Sequence, residues 1–483
     1  MKKEVLRMEN ILTDYPDGNN LKNLYFQVYE GEIMGVVGIN KYGLEHFLEL
    51  ICNNTPIKFG RVYFQEVMVN HYGHIKDTAN RVSIIGRNDS LLYNLSVADN
   101  IFVLRKGGKS FFVNKKALRQ EVRYYMKHFQ IDINPGKKVK YLEGYEKCTV
   151  ELLKAYILGA KLVIYDGTGS RLGDLGDYRI REVLRRMTKE GMAAVFVGNH
   201  YEELISFCDR LALFKDGKII KVFSKQEMDV RIMEACTPLL ESGKNGSFGS
   251  GFKRNIIVDD WNTQELKHFS LSLEAGECVM LYDKSNKIQS GIMRRLCGEG
   301  NETGGSIVFK ENGREKVISG RFLHRDIAVI EENPLETMLF YQYSYLDNLC
   351  FLLEKKMNTI KITSKIKKSI EKEYMEILGK EVKSRNILEL DKVSLYNLVY
   401  YRIHLLNPKL VFIVQPFSKT DLRTRYYIVS LIRVLKEAGI AVIILTSSIA
   451  DAERVVDRLC VVENGSKKKE YKAGEFEKAR MEN

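Results

Sequence analysis

Residues 32–52, EIMGVVGINKYGLEHFLELIC, set an apolar run, a short turn bounded by Gly38 and Gly43, and an amphipathic stretch end to end. The Val-rich run reads as a buried parallel strand, and the stretch after the turn as a helix. Runs of the same kind recur as KLVIYD (161–166) and AAVFVG (193–198), then as KLVFIV (409–414) and AVIILT (441–446). Between them lie segments with helical spacing, such as Leu118, Val122, Tyr125 and Phe129, or Ile362, Ile366 and Ile370. Short buried strands alternating with helices predict α/β domains built on parallel sheets.

The halves of the chain repeat one another. Gly31-Glu32 recurs 245 residues later as Gly276-Glu277. Ser96-Val97-Ala98-Asp99-Asn100 recurs as Ser344-Tyr345-Leu346-Asp347-Asn348, and Asp209-Arg210-Leu211 as Asp457-Arg458-Leu459, both 248 residues on. Such a period is far too long for a solenoid, so each copy should fold as its own domain. The expected division is 1–240 and 254–483, joined by the Gly/Ser-rich ESGKNGSFGSGFK (241–253), which suits a short flexible linker.

Bulk properties agree with two such domains. The 483 residues are 45% hydrophobic and 28% charged, ordinary globular values. A net charge of +13 favours acidic partners such as nucleotides, nucleic acid or an anionic membrane face. Eight scattered cysteines without a C-x-x-C pair read as reduced thiols. No apolar run approaches the roughly 20 residues that cross a bilayer, so a soluble or peripheral protein is expected. The basic stretches 109–129 and 354–374 carry apolar residues at helical spacing and read as amphipathic helices with one buried face.

A glycine-bearing turn between strand and helix is where backbone N–H groups and a positive helix end can hold phosphate. A working phosphate loop follows its second glycine with Lys and then Ser or Thr, for the phosphates and for magnesium. Here those positions are Leu44 and Glu45. Lys41 offers a compensating charge from within the turn. In the second copy the corresponding stretch, Asp283-Lys284-Ser285-Asn286-Lys287-Ile288-Gln289-Ser290-Gly291, keeps neither the glycines nor the lysine. Lacking glycine, this turn is not expected to reach φ > 0 or to bind ATP, and its two lysines are expected on a solvated turn.

Together these segments resemble the tandem ATP-binding subunits of ribose- and galactose-type sugar ABC importers over nearly the whole chain. The stretches LLYNLSVADNIFV (91–103), VELLKAYILGAKLVIYD (150–166) and CDRLALFKDGK (208–218) carry the likeness. It implies two ABC-type nucleotide-binding domains of the P-loop NTPase fold, each with a helical subdomain, pairing within one chain. By the same resemblance Tyr15 falls where an aromatic residue stacks on adenine, Arg87 on the Q-loop glutamine, and Leu142-Glu143-Gly144-Tyr145-Glu146-Lys147 on the signature. Asp166 is the Walker B acid. Its catalytic glutamate is replaced by Gly167 and the switch histidine by Asn199, with His200 as neighbour. In the second half Val414, Gln415 and Ser447 take the acid, glutamate and switch positions, and 390–395 the signature. Composite sites would pair 38–46 with 390–395 and 283–291 with 142–147.

The resemblance therefore implies a cassette pair with no intact catalytic residue, since Gly167, Asn199, Gln415 and Ser447 hold the catalytic positions. Tyr15, Gly38, Asn40, Lys41, Gly43 and Asp166 are what remains to hold a nucleotide. ATP is expected at the first site alone, where magnesium lacks its hydroxyl ligand, and no other metal site is expected. The implied partner is an integral-membrane permease, placing the protein at the cytoplasmic face of the membrane. A working importer ATPase with Lys41 replacing the missing lysine is one alternative. A scaffold for a sensor or regulatory protein, or for RNA, is another. Nucleic acid is disfavoured because tandem cassettes that work on ribosomes keep good phosphate loops and a long helical linker.

Overall fold

The computed structural model describes residues 3–72, 74–75, 80–86, 90–102, 115–167, 173–198, 201–229, 254–299, 305–319, 322–323, 325–354, 362–418, 420–449, 452–476 and 478–479. Two compact units result, Met1–Pro238 with Lys419–Arg423, and Leu239–Ser418 with Thr424–Asn483. The linker expected at 241–253 lies outside the described residues.

In the first unit, β1 (Glu4–Leu12), β2 (Leu24–Tyr29), β4 (Phe59–Phe64), β5 (Val67–His71) and β6 (His74–Ile75) form an antiparallel sheet ordered β2-β1-β4-β5-β6. A second sheet is ordered β11-β10-β3-β9-β8-β7. It comprises β3 (Ile33–Gly38), β7 (Val82–Ile85), β8 (Leu162–Asp166), β9 (Ala193–Gly198), β10 (Arg210–Lys215) and β11 (Lys218–Ser224), parallel except for β11. Helix α1 (Leu44–Asn53) lies in the core between the sheets: its Phe47, Leu48 and Ile51 cluster with Met8 and Phe26 on one side and Val36 and Val195 on the other. A helical layer follows with α2 (Val97–Phe102), α3 (Lys115–His128), α4 (Gly144–Ile157), α5 (Gly173–Lys189) and α6 (Tyr201–Phe207). As the spacing predicts, α3 buries Val122 and Met126 and leaves its basic face to solvent.

The second unit repeats the plan. Strands β12 (Arg254–Trp261), β13 (Phe269–Glu274), β15 (Ser306–Glu311) and β16 (Arg314–Ile318) make the antiparallel sheet, with β14 (Cys278–Tyr282) leading through a turn to α7 (Ile288–Cys297). The other sheet runs β17-β18-β19-β14-β20-β21, adding β17 (Ile327–Ile330), β18 (Leu410–Val414), β19 (Ala441–Thr446), β20 (Arg458–Glu463) and β21 (Ser466–Lys472). Its helices are α8 (Pro334–Thr337), α9 (Tyr345–Cys350), α10 (Ser364–Leu378), α11 (Lys392–Leu406), α12 (Leu422–Glu437) and α13 (Ala452–Val455).

The duplication is written in hydrogen bonds as well as in letters. Buried Asn100 accepts from the Leu92 N–H at 2.6 Å and donates to the Leu92 carbonyl at 3.0 Å. Asn348 does the same with Phe340, at 2.9 and 2.8 Å. Each asparagine supplies both halves of a backbone pairing that a loop cannot make for itself. Likewise Asp209 and Asp457 each accept the first N–H of the central strand, from Ile33 at 2.8 Å and Cys278 at 2.7 Å.

Seven cysteines lie among the described residues, all free thiols. Burial pushes Cys208 and Cys460 up to about 12, so both are packing groups rather than nucleophiles. No helix among the described residues is long and apolar enough to cross a membrane.

Candidate functional site

In a parallel sheet, ligands gather at the carboxyl ends of the strands, where the turns into helices leave N–H groups pointing outward. In the first unit this edge places Gly38 at the end of β3 and Asp166 at the end of β8 on either side of β9, which pairs with both strands through Gly198 and Val197. Gly43 caps α1 in the left-handed region with φ 76°, and a Cβ there would stand 3.1 Å from the Gly217 Cα. Leu44, at the lysine position, turns into the core, whereas Glu45 is exposed in the first turn of α1. Lys41 is half-buried. Asn40 turns to the β10–β11 hairpin, donating from Nδ2 to Asp216 Oδ1 at 2.8 Å and accepting the Asp216 N–H at 3.2 Å.

Tyr15 is held by a 3.0 Å hydrogen bond between its hydroxyl and Thr55 Oγ1. One face of its ring is covered by His46 of α1, with centroids 4.0 Å apart and planes 24° from parallel. Asp17 fixes that imidazole, 2.8 Å from Nε2. Hydrogen bonds from Asn19 and His46 hold the Asp17 carboxyl down at about 2. Sequence reasoning singled out the tyrosine and missed the histidine, which is three residues past Gly43 on the helix that faces it.

Asp166 is buried. At Gly167 a Cβ would meet the Val197 carbonyl oxygen at 3.1 Å and the rings of Tyr165 and Phe196 at 3.3 and 3.4 Å. The position that the resemblance gives to a catalytic glutamate is thus too tight for any side chain without movement of the neighbours. Arg87, Asn199 and His200 lie outside the described residues.

The second unit closes its own edge. Asp283, the counterpart of Gly38, is buried and folds its carboxylate back into the turn. Oδ1 accepts the Ser285 N–H at 2.9 Å and its hydroxyl at 2.7 Å. Oδ2 accepts the N–H groups of Lys287 and Ile288, at 2.6 and 2.8 Å, where α7 begins. Gln415 sits in the left-handed region, φ 44°, with Nε2 at 3.0 Å from Asn286 Oδ1 and 3.2 Å from Ser447 Oγ. The three positions are thereby tied across the strand ends. Lys287 is exposed and Lys284 half-buried. The expectation that this turn could not reach positive φ without glycine is corrected: Asn286 does so at φ 55°, since asparagine tolerates the left-handed region.

Both signature-like segments carry at their second position an acid that caps a helix. Glu143 precedes α4, and its N–H donates to Glu146 Oε2 at 2.8 Å, with Lys137 3.0 Å from the same carboxylate. Asp391 caps α11, accepting the Ser394 N–H at 2.8 Å. Trp261 is packing, its indole stacked 6.0 Å from Phe412 in the core. Val414 is buried at the end of β18.

Against known proteins, the ABC transporter family model matches residues 21–168. A ribose import ATP-binding protein of Clostridium tetani is 22% identical over 474 residues, covering 96% of this chain and 94% of its own. The chain has the fold of two ATP-binding cassettes in tandem. An arabinose import ATP-binding protein of Yersinia pestis is likewise 23% identical over 474 residues, covering 95% of this cassette pair and 90% of its own chain. In fold, the pair is also similar to a solved structure described as RNase-L Inhibitor, with TM-score 0.61, 15% identity and coverage of 98% and 92%. An archaeal ribosome recycling factor in complex with a ribosomal stalk protein gives TM-score 0.58 at 15% identity, covering 94% and 88%.

Proposed function

We propose that this cassette pair is a non-hydrolysing subunit of an uptake system, docked on an integral-membrane permease at the cytoplasmic face of the membrane. One observation carries the loss of hydrolysis: carboxylates stand at the helix starts where phosphate would have to be held. Asp283 fills the start of α7, Glu143 and Glu146 that of α4, and Asp391 that of α11. A helix N-terminus acts as roughly half a positive charge, and a carboxylate already seated there removes its attraction for another anion. Gly167 and Gln415 also leave no carboxylate to orient the attacking water.

Docking is supported by apolar side chains exposed at matching places in the two helical layers. Leu92, Tyr93 and Tyr141 are exposed in the first, and Phe340, Tyr343, Phe351 and Leu388 in the second. Exposed apolar clusters of this kind mark interaction surfaces. The sugar-import relatives, 22–23% identical over nearly the full length, make a permease the partner to test. Purified protein should release phosphate from Mg-ATP no faster than a blank. Tagged protein from its native cells should co-purify an integral-membrane protein from detergent. Turnover above blank sinks the first half of the reading, and a tagged protein recovered alone sinks the second.

One observation favours residual nucleotide binding in the first unit: Gly38 and Asp166 share the same sheet edge, flanking β9, with Lys41 half-buried in the turn. ATP held there without being cut should be lost in Lys41→Ala. Equal binding by both proteins would remove Lys41 from the site.

A further inference from the structure

The turns after β3 and β14 are the same element in two copies, and they differ in one decisive residue. In the first unit the strand ends at Gly38, which has no side chain to turn inward. In the second, the next residue after Tyr282 is Asp283, and its side chain spans the turn to the helix it precedes. Both carboxylate oxygens are used: two donors from Ser285 on one, two backbone N–H groups on the other. Their distances, 2.6 to 2.9 Å, are those of charge-assisted hydrogen bonds. Successive backbone N–H groups converging at a helix start form an anion-binding concavity whatever the sequence around them. Here the concavity is occupied from within, and the Gln415 amide, linked to Asn286 and Ser447, closes the space beside it.

We propose that Asp283 is an internal substitute for a phosphate group, and that this residue excludes polyphosphate ligands from the second unit. Loss of the phosphate-loop lysine weakens such a site, but a seated carboxylate fills it and opposes a second negative charge. The inference rests on the reading of the chain as a non-hydrolysing cassette pair. The two can fail separately, since recovery of a permease does not depend on Asp283.

The test uses the full chain and inorganic pyrophosphate, without magnesium, and follows amide hydrogen exchange in residues 284–288. In the unaltered protein the Lys287 and Ile288 amides should exchange slowly and at a rate indifferent to millimolar pyrophosphate. Asp283→Gly, which copies the first unit, should speed their exchange about tenfold or more, and pyrophosphate should slow it again. Either of two results overturns the proposal: protection by pyrophosphate already present in the unaltered protein, or a folded Asp283→Gly chain that pyrophosphate leaves unprotected. Should Asp283→Gly fail to fold, Asp283→Asn decides. It keeps one acceptor oxygen, which can serve Ser285 or the Lys287 and Ile288 amides but not both, so exchange should rise on one side of the turn; unchanged exchange at all three would overturn the assignment.

Discussion

The two strand-to-helix turns occupy the same place in the repeated fold, and they differ in what fills them. The first keeps its glycines at 38 and 43 and covers Tyr15 with His46. The second has filled the backbone cradle with Asp283 and braced it with Gln415. One turn has been covered at its aromatic end and the other plugged at its phosphate end. On the function proposed above, removing a ligand's favourable contacts and supplying an internal replacement are separable steps, and the two units stand at different points.

Trp261 provides the largest expected contrast. It pairs with Phe269 in the register in which Ile11 pairs with Leu24 in the first unit. Trp261→Ala should cost the second unit about 3–5 kcal/mol, seen by calorimetry as a shift of one transition only. A shift of both would show that the units do not unfold separately. Asn348→Ala comes next, leaving the buried Phe340 N–H and carbonyl unpaired at about 2–3 kcal/mol. Trp261 is the only tryptophan, so its fluorescence should register Asn348→Ala during urea unfolding and ignore the twin change Asn100→Ala. Equal responses to both would contradict separate unfolding.

A smaller effect belongs to His46→Ala, which uncovers one face of Tyr15 at the loss of about 0.5–1.5 kcal/mol of ring stacking. Adenine nucleotides should then bind the first unit more tightly, measured by calorimetric titration; no gain would mean that the imidazole does not hold the base position. The smallest effect is in acid. Arg254 and Lys409 donate to Glu311 and hold its carboxyl at about 2, well below the ordinary carboxylate range. A depressed folded value stabilises above the unfolded one, so this contribution is intact near neutrality and is lost as pH falls from about 4.5 toward 2. Glu311→Gln should flatten that part of the fluorescence-monitored acid transition, and an unchanged slope would remove the ion pairs from the account.

What the sequence made legible was whatever depends on period and repetition. The runs at 161–166, 193–198, 409–414 and 441–446 are buried strands, and the spacing at 115–128 gives a half-buried helix, because a side chain's face follows from its position along a regular element. What could not be read were closures made through turn geometry. Asp283 counted only as a lost glycine, since its reach to the Ile288 N–H depends on the φ and ψ of the residues between. The His46–Tyr15 stack joins two elements 31 positions apart through ring orientation, to which a linear pattern is blind. An acid at the end of a strand, followed two residues later by serine, was the one local hint of an inward-folded side chain.

Gly167 has a consequence for history. On the function proposed above, glycine holds a glutamate's place, and the neighbouring strand and rings lie close against its bare backbone, with the Val197 carbonyl oxygen 3.1 Å from where a Cβ would stand. Restoring an acid there by a single substitution would first require that strand and those rings to give by a few tenths of an ångström. Relaxed packing around an abandoned residue acts as a ratchet: a lineage that has taken this step keeps the scaffold and can explore new partners, while its former chemistry recedes with each contact that forms.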